Sequence, residues 1–180
     1  MRVISLRHIL IGVAGALCVA TGAYAQNTAN VSANGSVTIF RPITLTKNSD
    51  LSFGTVVRPI SGSGTVTISQ TDGTRTNTGS LALLTTGPNA AASRATYTVN
   101  GEGGQGFSIS VPATFDMTRS GGPSDIITVT VVPTATSGTL SSTLGNGGTA
   151  SFGVGGTITV DSTTPSGAYS GTFTTTVTYN

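Results

Sequence analysis

The stretch from Tyr169 to Asn180 places Tyr169, Gly171, Phe173, Thr175, Val177 and Tyr179 on one phase of a period-two pattern. Ser170, Thr172, Thr174, Thr176, Thr178 and Asn180 occupy the other phase. Successive side chains of an extended strand point to opposite faces, so this alternation lines up every apolar residue on one side. Thr, Tyr, Phe and Val also suit a pleated, half-buried surface, and pattern and propensity agree. Such a strand serves either as part of a core or as a handle that a partner grips.

The same pattern recurs near the other end, where Ala29, Val31, Ala33, Gly35, Val37 and Ile39 alternate with Asn30, Ser32, Asn34, Ser36 and Thr38. Arg41-Pro42 interrupts it, because proline cannot donate to a ladder. Between these two stretches, strands are expected at Ile43–Thr46, Leu51–Val57, Thr65–Ser69, Ser80–Leu84, Ala95–Val99, Phe107–Val111, Ile126–Val132, Ala150–Val154 and Thr157–Val160. A short edge strand is expected around Thr139–Leu144. The 25 glycines and the absence of apolar spacing at three and four residues exclude long helices. Many short strands separated by turn signals predict an all-β, immunoglobulin-like sandwich, and no fixed repeat period points to a solenoid or propeller.

Residues 1–25 read as a cleaved signal peptide. Arg2 and Arg7 precede the apolar run Ile9–Ala20, and Ala23-Tyr24-Ala25 supplies the small-x-small cleavage pattern. That run falls short of the roughly 20 apolar residues of a membrane-spanning helix. Cys18 lacks the leucine three residues upstream that a lipoprotein signal carries. Removing the leader takes away the only cysteine, the only histidine and the whole of the +2 formal charge, leaving about 155 residues with six basic against six acidic side chains. A neutral chain has no general attraction for nucleic acid or anionic lipid. With no disulfide available, an exported domain of this size depends on sheet hydrogen bonds and apolar packing.

Catalytic chemistry finds little to work with. Ser-His and Cys-His nucleophile pairs need residues that the chain without its leader lacks. Lys47 stands beside Asn48 and Asp50 at a turn and reads as a solvated lysine rather than as half of a Ser-Lys pair. Gly101-Glu102-Gly103-Gly104-Gln105-Gly106 matches a dinucleotide fingerprint in letters. The alternating Phe107–Val111 that follows is a strand and not the helix whose amino terminus would face a pyrophosphate, so a glycine-rich hairpin loop is expected. Asp116 and Asp125 flank a turn, but two carboxylates are too few for a hard cation, and no metal or cofactor is expected. Asn30-Val31-Ser32 and Asn34-Gly35-Ser36 match a glycosylation acceptor pattern that is common by chance. Without tryptophan, and with Tyr97, Tyr169 and Tyr179 all on strands, aromatic sugar platforms are not apparent. The expectation is therefore a protein that is not an enzyme.

Asp50-Leu51-Ser52-Phe53-Gly54, Phe152-Gly153-Val154-Gly155-Gly156-Thr157-Ile158-Thr159-Val160, and Gly167-Ala168-Tyr169-Ser170-Gly171 leading into Val177-Thr178-Tyr179-Asn180 resemble a family of secreted bacterial pilin-like proteins. That family is similar to spore coat U type and archaic chaperone–usher pilins. The cysteines frequent in the coat-U-like branch are missing from the chain without its leader. The resemblance implies an incomplete sandwich, completed by a strand donated from another subunit. It further implies a periplasmic chaperone and an outer-membrane usher as partners, and export to the periplasm and then to a surface fimbria. Tyr169, Gly171, Phe173, Val177 and Tyr179 would form the carboxy-terminal assembly strand.

The donor-strand candidates are Ala29, Val31, Ala33, Gly35, Val37 and Ile39, whose narrow inward row would fit close against a partner. The same residues also suit the domain's own first strand, or a split with Gln26–Ala33 donated and Gly35–Phe40 retained. The organisation expected is a leader over 1–25, an amino-terminal strand over 26–40 and a sandwich over 41–180. The function expected is a secreted structural subunit of a surface fibre; the alternative is a self-completed surface binding or adhesion module.

Overall fold

The structure, a computed structural model, describes residues 28–180. The expected leader at 1–25 lies outside the described residues. The chain divides into two units, Met1–Val37 and Thr38–Asn180. Of the first, residues 28–37 are described, and they take part in no ladder and expose their side chains. The strand expected over Ala29–Ile39 thus has no pairing partner among the described residues.

The second unit is all-β, with no helix among the described residues. Its strands are β1 (Thr44–Ser49), β2 (Val56–Val57), β3 (Ser63–Ile68), β4 (Arg75–Asn77), β5 (Ala82–Leu83), β6 (Ala95–Glu102) and β7 (Gly106–Ser110). They continue with β8 (Thr114–Arg119), β9 (Gly122–Pro133), β10 (Ser137–Thr139), β11 (Gly147–Asp161), β12 (Tyr169–Ser170) and β13 (Thr176–Tyr179). A large curled sheet runs in the order β1-β6-β11-β9-β8-β12, with β3 against β11 and β4 against β3. A second sheet runs β10-β7-β13, and β2 pairs with β5. Every ladder is antiparallel, as expected of a β-sandwich-like fold.

Two of the expected strands, Ala150–Val154 and Thr157–Val160, are one 15-residue strand, β11. Its first half pairs with β6 and its second half with β3 and β9. Where these pairings change over, Phe152 to Gly156 are all buried. A Cβ at Gly155 would collide with the carbonyl oxygen of Ile68, so only glycine lets the two backbones approach there. The run Gly101–Gly106 is also not a hairpin. β6 and β7 do not pair with each other, and Gly103-Gly104-Gln105 carries the chain from the large sheet to the small one.

The apolar phases converge as alternation requires. Ala95, Tyr97 and Val99 from β6, Val66 and Ile68 from β3, Ile127, Val129 and Val131 from β9, and Phe152, Val154, Ile158 and Val160 from β11 are buried together. The small sheet adds Phe107 and Ile109. Tyr97 and Phe152, opposite each other in register, stack with ring centroids 5.1 Å apart. The Thr-rich phase forms cross-strand rows on the opposite face, Thr76-Thr67-Thr157-Thr130-Thr114 across five strands. Within that row the Thr67 and Thr157 hydroxyls bond at 2.9 Å.

Candidate assembly site

Two strands of the second unit end their sheets with one edge unpaired and lie side by side. β1 pairs with β6 alone and β13 with β7 alone, and the two come within 8 Å between Cα atoms with no ladder joining them. Residue pairing fixes what β13 presents along its edge. The Asn180 amide bonds to Gly106 directly opposite, so in this antiparallel register Thr176 and Thr178 also direct their backbone groups toward β7. Val177 and Tyr179, the intervening residues, direct theirs away from it.

Along these edges the core is not closed. Ile43, Leu45, Leu51 and Val56 on one side, and Tyr169, Phe173, Val177 and Tyr179 on the other, pack against the core while remaining partly exposed. Phe115 and Met117 of β8 join them, with Phe115 and Phe173 ring centroids 5.0 Å apart. The strip opens into a cavity of about 730 Å³ between residues 51–58 and 164–169, floored by Met117, Ile127, Ile158 and Val160. Arg58 spans its mouth, Nη1 donating to the Thr164 carbonyl at 2.7 Å. The Thr175 hydroxyl, on the same phase as Phe173 and Val177, is the one buried side-chain polar atom among the described residues without a hydrogen-bond partner.

The expected carboxy-terminal strand is present in two pieces, since only Tyr169–Ser170 and Thr176–Tyr179 are ladder residues. β12 pairs with β8 in the large sheet and β13 with β7 in the small one, so the chain changes sheets between them. Gly171 passes so close to β8 that a Cβ there would collide with the Asp116 carbonyl oxygen. Of the five residues, Tyr169, Phe173, Val177 and Tyr179 reach the apolar strip together, and Gly171 allows the close approach to β8. The amino-terminal candidates behave differently: Val31 is 98% exposed, and Val37 and Ile39 are each 82% exposed.

At one end of the strip the Tyr179 hydroxyl accepts from the Glu102 amide at 2.6 Å and donates to the Arg41 carbonyl at 2.9 Å. The remaining polar residues have ordinary structural partners. Asp125 is engaged by Arg119, Asp116 accepts from the Thr128 hydroxyl at 2.7 Å, and Lys47 pairs with Asp50 at 2.5 Å. That hydrogen bond and charge raise the Lys47 pKa. Among the described residues, no group of three or more His, Cys, Asp or Glu stands in metal-binding arrangement, and there is no helix long and apolar enough to cross a membrane.

Sequence reasoning missed β8 altogether, although Phe115 and Met117 alternate with Thr114, Asp116 and Thr118. It also missed Glu102, which was absorbed into a glycine run. No curated protein and no solved structure matches this chain. One family model does, over residues 43–179, a span containing both free edges, the apolar strip and the cavity. The chain belongs to the family described as a domain of unknown function, DUF4402.

Proposed function

We propose that this protein is a secreted structural subunit of a bacterial surface fibre that polymerises by strand donation. In this scheme the stretch Ala29–Ile39 of one subunit lies along the free edge of β13 in the next. The observation that carries it is the pairing of an acceptor and a donor on one chain. A strand edge bordered by partly exposed core residues accompanies an alternating segment that pairs with no strand among the described residues. Leaving Val31, Val37 and Ile39 in water forgoes about 1.5–3 kcal/mol of burial for each. An unpaired edge is in turn a template for another strand. Alternation suits the task, because the backbone supplies the ladder while every second side chain enters the strip.

Under this scheme the leader directs export to the periplasm, where a chaperone shields the β13 edge and an outer-membrane usher passes subunits to the surface. Such a subunit performs no catalysis and needs no cofactor. Deletion of residues 26–33 tests the scheme. Purified protein lacking them is expected to stay monomeric where the unaltered chain forms oligomers or fibres. Normal assembly after the deletion would refute donation by this segment, and a stable monomer with an intact amino terminus would instead indicate a self-completed surface binding module.

A further inference from the structure

Glu102 is the one buried charged residue among the described residues, 2% exposed. A carboxylate withdrawn from water destabilises a fold unless hydrogen bonds and an opposite charge replace the lost hydration. Its replacements come from the Gly145 amide and from Arg41. Oε1 accepts the Gly145 N–H, Oε2 accepts the Arg41 N–H at 3.2 Å, and the Arg41 guanidinium stands 3.8 Å from Oε2. The same guanidinium donates to the Gly145 carbonyl at 3.2 Å.

The other main-chain group of Arg41 is held as well, since its carbonyl accepts from the Tyr179 hydroxyl. The ring of Phe40 lies 5.9 Å from that of Tyr179, and Pro42 restricts the torsion that follows. Residue 41 belongs to no strand, so none of these bonds is needed to pair a sheet. They immobilise the backbone at the residue where the unpaired amino-terminal stretch begins.

We infer that Glu102, acting with Tyr179, is a positioning residue for strand donation: it sets the root of the donated arm, so that less freedom is lost when the arm docks on a neighbour. The inference rests on the strand-donation scheme. It also ties donor to acceptor, because Tyr179 belongs to the edge strand that would receive the preceding subunit's arm.

The test compares Glu102→Gln with the unaltered full chain, both purified from the exported fraction. Three readouts are the assembly rate, exchange of the Arg41 amide in dilute monomer, and binding of a synthetic peptide of residues 28–40 to that monomer. The expected result is assembly slowed about tenfold and Arg41 exchange accelerated at least about tenfold, with peptide binding held within about twofold. Unchanged assembly, unchanged Arg41 exchange, or a parallel loss of peptide binding would overturn the inference, the last because it assigns Glu102 to the groove itself. If the unaltered chain fails to assemble, the strand-donation scheme falls and takes this inference with it. If the unaltered chain assembles and the variant matches it, only the inference falls.

Discussion

The Tyr179 hydroxyl donates to the carbonyl oxygen of Arg41 at 2.9 Å, joining two residues 138 positions apart in sequence. It also accepts the Glu102 amide at 2.6 Å. A phenylalanine at this position keeps the ring beside Phe40 but takes the hydroxyl from the partly buried Glu102 amide and from the exposed Arg41 carbonyl. Tyr179→Phe is expected to cost about 1–3 kcal/mol. For a domain of this size each kcal/mol lowers the midpoint by about 2–4 °C, so thermal unfolding monitored by circular dichroism measures the loss directly.

Gly171→Ala sets a methyl group against the Asp116 carbonyl oxygen on a neighbouring strand. Relief requires the chain between β12 and β13 to move, carrying Phe173 away from Phe115. A loss of about 1–3 kcal/mol in urea unfolding is expected. A variant as stable as the parent would mean that this close approach does not hold Phe173 in place.

Two ion pairs of different exposure predict unequal effects. Arg119 directs Nε and Nη2 to Asp125 Oδ2 at 2.6 and 2.5 Å, with both side chains at least 70% covered, at 28% and 25% exposure. Lys47 and Asp50 are 55% and 77% exposed. Arg119→Lys forfeits the two-nitrogen geometry and is expected to cost about 1 kcal/mol, whereas Lys47→Ala is expected to cost less than about 0.5 kcal/mol. Paired denaturation curves decide the order.

Asp72 sits in the turn between β3 and β4, where hydrogen bonding from Ser69 and then from Thr74 lowers its pKa to about 2, against 3.8 for an unperturbed aspartate. A depressed native pKa stabilises the fold above the unfolded value. That contribution is present at neutral pH and is lost as pH falls from about 4 through about 2. The carboxyl carbon of Asp72 is expected to titrate near pH 2 in an NMR series. A midpoint near 4 would mean that the turn does not hold the carboxylate in solution.

Strand placement was legible for several segments covered on one face only, though not for β8. β3, β6 and β9 follow their apolar phase closely because the pattern and the burial have the same period. Alternation says nothing about pairing partners, which is why Ala29–Ile39 read as a strand although no strand among the described residues flanks it. The change of sheet at Gly171 and the continuity of β11 through Gly155 depend on backbone approaches between distant segments, which local pattern does not record. Tyr169, Phe173, Val177 and Tyr179 were found by phase. Leu45, Leu51 and Met117 complete the strip only through tertiary packing. Glu102 looked like part of a glycine turn because its partners, Arg41 and Gly145, lie 61 and 43 residues away.

The strand-donation proposal separates assembly from stability on the amino-terminal stretch. Val37 and Ile39 are each 82% exposed, so Val37→Asp and Ile39→Asp are expected to leave monomer stability within about 0.5 kcal/mol. A charge carried into the apolar strip would be left without a partner, so oligomer formation is expected to fall at least tenfold, about 1.4 kcal/mol. Size-exclusion chromatography beside an unfolding curve reads both quantities.

Hydrogen exchange at the amides of Val177 and Tyr179 tests strand donation most directly, because these residues direct their backbone groups away from β7. In dilute monomer they are expected to exchange rapidly, while those of Thr176 and Thr178 are protected by β7. In assembled protein Val177 and Tyr179 should become protected as well. Oligomers in which both amides still exchange at the monomer rate would contradict donation to this edge.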